Sequence, residues 1–223
     1  MIHGCSAIRT ANDGAAAIAA IEAEPVDLLI TDVRMPIMDG ITLVQRLKEM
    51  GLGVPSIVFV SGFADVNFRD MYDLGVTAFL AKPMARNEFI ASAERAIADR
   101  RDLWLLPMDP PPRQFIDFDS EKCAPASPGE HRATNCLSLG RGGFCTHIAA
   151  PLGLGVVAFN CRLSANEANG QPERVLAGQG FVRWFSKMEQ VVGIEFAYLE
   201  PSCRAWVIHQ IAAIAPRSFI PYS

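Results

Sequence analysis

A short apolar run that halts at a carboxylate constrains the first half of this chain more than any other feature. Leu28-Leu29-Ile30-Thr31 leads into Asp32 and then into Val33-Arg34-Met35-Pro36-Ile37-Met38-Asp39-Gly40. Four residues with a β-branched end read as a strand buried on both faces, as in a parallel sheet. Asp32 then stands at the carboxyl end of that strand, the edge at which open α/β sheets gather ligands. Met35-Pro36 directs an extended turn, and Gly40 lets the chain bend back before the next helix. Two later stretches repeat the geometry. Ile57-Val58-Phe59-Val60-Ser61 ends a second strand in a hydroxyl, and Ala78-Phe79-Leu80-Ala81-Lys82-Pro83 ends a third in an ammonium. Each polar residue alone would read as a helix cap or a surface turn; three on successive strand ends predict one shared site.

From about Cys5 to Arg101 the sequence resembles a response-regulator receiver domain, carried by the Asp, Ser and Lys-Pro spacing across three strands. The resemblance implies an α/β flavodoxin-like fold and assigns roles by position. Asp32 is the phosphoacceptor for a partner sensor histidine kinase and a ligand of Mg2+. Ser61 and Lys82 contact the phosphoryl group, Phe79 is the switch aromatic, and Pro83 is the cis-proline. A fixed cation and a short hydroxyl donor suit phosphoryl oxygens. The chain is not expected to be an enzyme: a phosphatase using Asp32 as nucleophile would want a second carboxylate two residues on, where Arg34 stands.

Ala7–Ala11 alternates like a strand, Asp13 can cap the helix Ala15–Glu24, and Pro25 stops it. These match the second strand and second helix of the receiver pattern. The family's first strand, its acidic pair and its first helix are therefore expected to be missing, leaving an incomplete Mg2+ site and an apolar gap in the sheet. A misplaced start or a truncation accounts for this; the alternative is a degenerate receiver that works without phosphorylation. Further helices are expected over Ile41–Met50, near Val66–Leu74, and over Arg86–Arg101, the last with Phe89, Ile90, Ala93 and Ile97 as a buried stripe. The exposed face of that last helix is the expected homodimer surface.

The 223 residues allow two ordinary domains. Positions 1–106 hold 10 basic and 14 acidic residues and the remainder 10 of each, so neither half suits DNA. No leader and no apolar run of the ~20 residues needed to span a bilayer is present, and the reading is cytoplasmic. None of the six cysteines forms a CxxC pair, so buried thiols are favoured over a metal site of Cys136, Cys145, His147 and Cys161.

Composition shifts after residue 102, where Pro107, Pro110, Pro111 and Pro112 predict an extended linker over 103–112. Short alternating segments near Ala133–Leu137, Gly143–Ile148, Val156–Leu163, Val175–Trp184 and Val191–Phe196, divided by turn clusters at 164–166 and 169–172, predict a small antiparallel β-barrel. Pro201 opens a closing helix carrying Trp206, Val207, Ile211 and Ile214, and Pro216 ends it. Residues 113–215 resemble a PilZ domain through Leu137–Phe144, Gly178–Trp184 and Val192–Phe196, with 216–223 as a tail. That family binds cyclic di-GMP through RxxxR and [D/N]xSxxG motifs. Arg113, Asn135, Ser138 and Arg141 are the candidates, although Asp117 replaces the second arginine and the other motif fits no single frame.

Taken together, 1–102 reads as a receiver whose state at Asp32 alters a PilZ-like output or a downstream protein target, bearing on motility or exopolysaccharide. The alternative is an interaction scaffold with both ligand sites degenerate.

Overall fold

The structure is a computed structural model that describes residues 7–50, 55–62, 67–119, 137–148, 152–163, 172–213 and 218–222. The chain divides into two compact units, one of residues 1–67 and 74–98, the other of Phe68–Asp73 and Asp99–Ser223.

The first unit is a parallel sheet between helices. Strands β1 (Leu28–Asp32), β2 (Ser56–Ser61) and β3 (Ala78–Ala81) lie side by side in that order, with Asp32 opposite Val60 and Ser61 opposite Ala81. Because successive strand side chains point to opposite faces, Leu29 packs with Ala17, Ile21, Leu43 and Leu47 of helices α1 (Gly14–Ala23) and α2 (Gly40–Glu49), while Leu28 and Ile30 pack on the other face with Val58, Val60 and Leu80 and with Ala96 of helix α4 (Arg86–Ile97). The carboxylates of Asp13 and Asp39 cap the first two helices, accepting from the Ala16 and Thr42 amides at 2.9 and 2.7 Å.

Three expectations are corrected here. Leu28–Ile30 are half-buried rather than enclosed, because among the described residues β1 has a ladder partner on one side alone. Residues 7–11 form no strand: Arg9 instead donates to the carbonyls of Ala20 and Glu24 at the end of α1, both at 2.6 Å, adding to the bond the Ala20 carbonyl accepts from the Glu24 amide at 3.4 Å. The last helix stops at Ile97, which is 37% exposed, and its buried stripe is Ala93 and Ala96 with Phe89 beside them. Asp99 then caps a separate short helix, α5 (Arg100–Leu103).

Helix α3 (Phe68–Leu74) lies, as far as Asp73, in the second unit; Val66, its expected start, is outside the described residues. Strands β4 (Gln114–Asp119), β5 (Leu137–Leu139), β6 (Gly143–His147), β7 (Gly155–Leu163), β8 (Arg174–Ser186) and β9 (Val191–Leu199) form one sheet in the order β4-β7-β8-β9-β6-β5. The antiparallel barrel is thereby corrected to a mixed sheet. Strand β4 pairs parallel with β7, and no ladder among the described residues joins β4 to β5. Parallel pairing needs a long crossover, which the stretch between Asp119 and Gly155 supplies. Residues 133–136, 164–166, 169–171, Ile214 and Pro216 lie outside the described residues.

Phe144, Phe159 and Phe196 interlock at the centre, with ring centroids 5.0–5.9 Å apart, and Trp104 closes against Phe196 at 5.2 Å. Trp104, 1% exposed, is thus a core residue inside the proline-rich stretch. Helix α6 (Pro201–Ala213) adds Cys203 and Val207 to the same core. The β8–β9 register shifts between Val182 and Trp184, and the intervening Arg183 pairs with buried Glu195 at 2.5 Å. A bulge of this kind re-aims one side chain without breaking the sheet.

Candidate functional site

Local sequence puts Asp32 where it is. The apolar strand ends, Val33 donates its amide to Val60 at 3.3 Å, and the first residue of α2 is packed directly onto the Asp32 backbone. A side chain at Gly40 would place its Cβ 2.3 Å from the Asp32 carbonyl oxygen, and the Gly40 amide donates to the Val33 carbonyl at 3.0 Å.

The Asp32 carboxylate meets the Lys82 ammonium, Nζ to Oδ2, at 2.5 Å. Both side chains face solvent in part, with 33% and 48% of their area exposed. Ser61 lies between them in the strand order, one residue beyond the partner of Asp32, and is 1% exposed; its carbonyl accepts the Lys82 amide at 2.8 Å. The Lys82–Pro83 peptide bond is cis. Phe79 pairs with Phe59 in the sheet and is half-buried. A carboxylate on the sheet edge, a cation in contact with it and a hydroxyl residue between their strands can together hold a small dianion.

Mg2+ does not fit the described residues. None of them form a group of three or more His, Cys, Asp or Glu side chains able to hold an ion, and the Asp32 carboxylate is already taken by an ammonium. Asp39 is a helix cap.

Beside the site, the Met38 amide donates to the Pro36 carbonyl at 2.7 Å, closing a tight turn on Ile37, whose φ is 66° and which is 88% exposed. A β-branched residue in the left-handed region carries strain of about 1–3 kcal/mol. Ile37→Asn, which tolerates that region and gives up little burial, is expected to stabilise the first unit by about 1 kcal/mol, read as slower amide exchange in β1 and β2.

The candidates of the second unit are dispersed. Arg113 is exposed just before β4, Ser138 lies on β5 opposite Cys145, and Asn135 is outside the described residues. Arg141 follows β5 at a turn, with its amide donating to the Ser218 carbonyl at 3.0 Å; burial pushes its guanidinium below the usual arginine range. Arg113 therefore stands by one margin of the sheet and Ser138 by the other. Burial, and then the charges of Asp73 and Glu189, push the Cys145 thiol up to about 12, so it is a packing group. Cys123 and Cys136 lie outside the described residues.

Residues 2–94 match the response regulator receiver domain. Over 99 residues the chain is 33% identical to the DNA-binding transcriptional regulator NtrC of Proteus hauseri, covering 44% of this chain and 20% of that protein. It is 36% identical over 77 residues to the sensor histidine kinase RcsC of Escherichia coli, covering 34% of this chain and 8% of that one. The receiver domain of NtrX from Brucella abortus is similar at 29% identity, covering 40% of this chain and 76% of that chain, with a TM-score of 0.36. The chain spans a fifth or less of the length of these two curated relatives. The part of the chain from residue 2 to residue 94 is a response regulator receiver domain.

Proposed function

We propose that Asp32 accepts a phosphoryl group from a sensor histidine kinase and that the second unit, read as a PilZ-like module, is the output. The observation that supports this most directly is the 2.5 Å pairing of Lys82 with Asp32 across the end of β2 in a receiver domain. In the transfer, a carboxylate oxygen of Asp32 bonds to phosphorus as the P–N bond of the kinase phosphohistidine breaks, and the imidazole leaves with the bonding pair. Lys82 is released from the carboxylate to the new phosphoryl oxygens, and the buried Ser61 lies beside them. The product carries nearly two added negative charges on one strand end, enough to redraw the local hydrogen bonds.

A half-exposed ion pair contributes about 1 kcal/mol or less to folding, so Lys82 is conserving little stability where it sits. Incubation with acetyl phosphate, run with and without Mg2+ and read by intact mass, is expected to add one phosphoryl to the protein and none to Asp32→Asn, with no dependence on the metal. Lys82→Ala should fold with stability within about 1 kcal/mol of the parent yet accumulate far less phosphoprotein. The second reading, a phosphorylation-independent scaffold, draws on the missing ligand group around Asp32 among the described residues; no incorporation by the parent chain would establish it over the first. For the output, calorimetry with cyclic di-GMP decides between a nucleotide sensor and a protein-contact module.

A further inference from the structure

Helix α6 gives one face to the core of the second unit, where Cys203 and Val207 are buried and Trp206 and Ile211 pack beside them. Its other face borders a cleft of about 550 Å3 shared with Arg101 of α5. Three basic side chains line that cleft, Arg101, Arg204 and His209. Between them lies an apolar floor of Pro201, Ala205, Ile208 and Ala212. Among the described residues no acid lines it.

Basic side chains on a helix surface are ordinarily balanced by carboxylates one turn away. That balance is missing here. Helix α6 carries no Asp or Glu in its 13 residues, and Glu200, just before it, accepts from the Tyr198 hydroxyl. Among the described residues neither Arg101 nor His209 has a carboxylate partner. The bases are also held on a common frame. Arg204 donates to the Leu199 carbonyl through Nε at 3.2 Å and Nη2 at 2.7 Å, which fixes the plane of its guanidinium at the end of β9. The Leu199 amide donates in turn to the carbonyl of Trp104, the buried residue that closes α5, at 3.2 Å. Both walls of the cleft are thereby tied to one strand end, so the site is formed before a ligand enters it.

We propose that this cleft binds a small organic phosphate monoester, its phosphate among Arg101, Arg204 and His209 and its apolar body over Ile208. Two guanidinium groups and an imidazole offer more charge and more donors than a carboxylate can use, whereas a phosphate dianion meets all three. The volume leaves room for a body as well as a head. The proposal does not rest on the phosphoacceptor reading, since every group it uses belongs to the second unit.

Titration of the isotope-labelled full chain with phenyl phosphate, followed by amide NMR, tests this. Saturable shifts are expected at Arg101, Arg204, Ile208 and His209, with a Kd of about 1 mM or below. Benzoate, a similar body with one charge, is expected to bind roughly tenfold more weakly, and benzyl alcohol to leave the same amides unmoved. Arg101→Glu and His209→Ala alter exposed side chains outside the core. With the β7–β9 amides unchanged as the check on folding, each is expected to weaken phenyl phosphate, Arg101→Glu by roughly tenfold or more. Shifts that do not saturate, or that survive unchanged in Arg101→Glu, overturn the site. Benzoate or benzyl alcohol binding as tightly as phenyl phosphate overturns its assignment to a phosphate.

Discussion

Arg183→Met is expected to cost the second unit about 3 kcal/mol, because it takes a bidentate cationic partner from a buried carboxylate. Glu195 is 3% exposed, and the Arg183 side chain reaches its Oε2 with both Nε, at 2.6 Å, and Nη2, at 2.5 Å. Arginine holds that place through the bulge between Val182 and Trp184, and its guanidinium lies 4.7 Å from the Phe181 ring centroid. Methionine keeps the length and the apolar contact but supplies no charge or donor. Adding Glu195→Leu should recover most of the loss, since removing both members of a buried pair is often neutral while removing one is not. Denaturant unfolding followed by tryptophan fluorescence isolates the effect, as Trp104, Trp184 and Trp206 all belong to the second unit. A loss below about 1 kcal/mol would mean the pair behaves as an ordinary surface salt bridge.

Gly40→Ala is the second large effect, and it falls on the first unit. The added Cβ meets backbone, 2.3 Å from the Asp32 carbonyl oxygen, with the Thr31 methyl at 3.4 Å. Alanine favours a helix over glycine by up to about 1 kcal/mol. That gain is smaller than the cost of forcing α2 away from β1, which overpacking puts at about 1–3 kcal/mol or more. The expected net result is faster amide exchange at Val33 and along β1–β2, with lower phosphoryl incorporation at Asp32. Unchanged exchange would show that the helix yields without moving the strand.

How much of this was legible follows from how far apart the interacting residues lie in the chain. The strand ends at Asp32, Ser61 and Lys82 could be read because each is a local event, an apolar run interrupted by one polar residue. Asp13 could be read as a cap for the same reason, being followed at once by a helical pattern. Ala7–Ala11 misled because alternation states only that a strand is compatible; a strand also needs a neighbour, and Arg9 found carbonyls on α1 instead. Strand β4 was missed although Gln114–Asp119 alternates, because the prolines before it pointed to a linker and its partner β7 is far along the chain. The Arg183–Glu195 pair left a faint signal, two charges inside otherwise apolar strands. Nothing local marks Phe219 as core, since the glycine that admits its ring is distant in sequence.

The half-buried Leu28–Ile30 row has a practical side. Among the described residues the outer margin of β1 presents backbone donors and acceptors to its surroundings, flanked by apolar side chains. Such a margin recruits extended backbone from any chain that drifts near, and the greasy flanks make the recruit slow to leave. Crowding more than warmth should therefore govern how long a preparation stays monodisperse, and a lysine placed at Leu28 would be the first change to try in keeping it so.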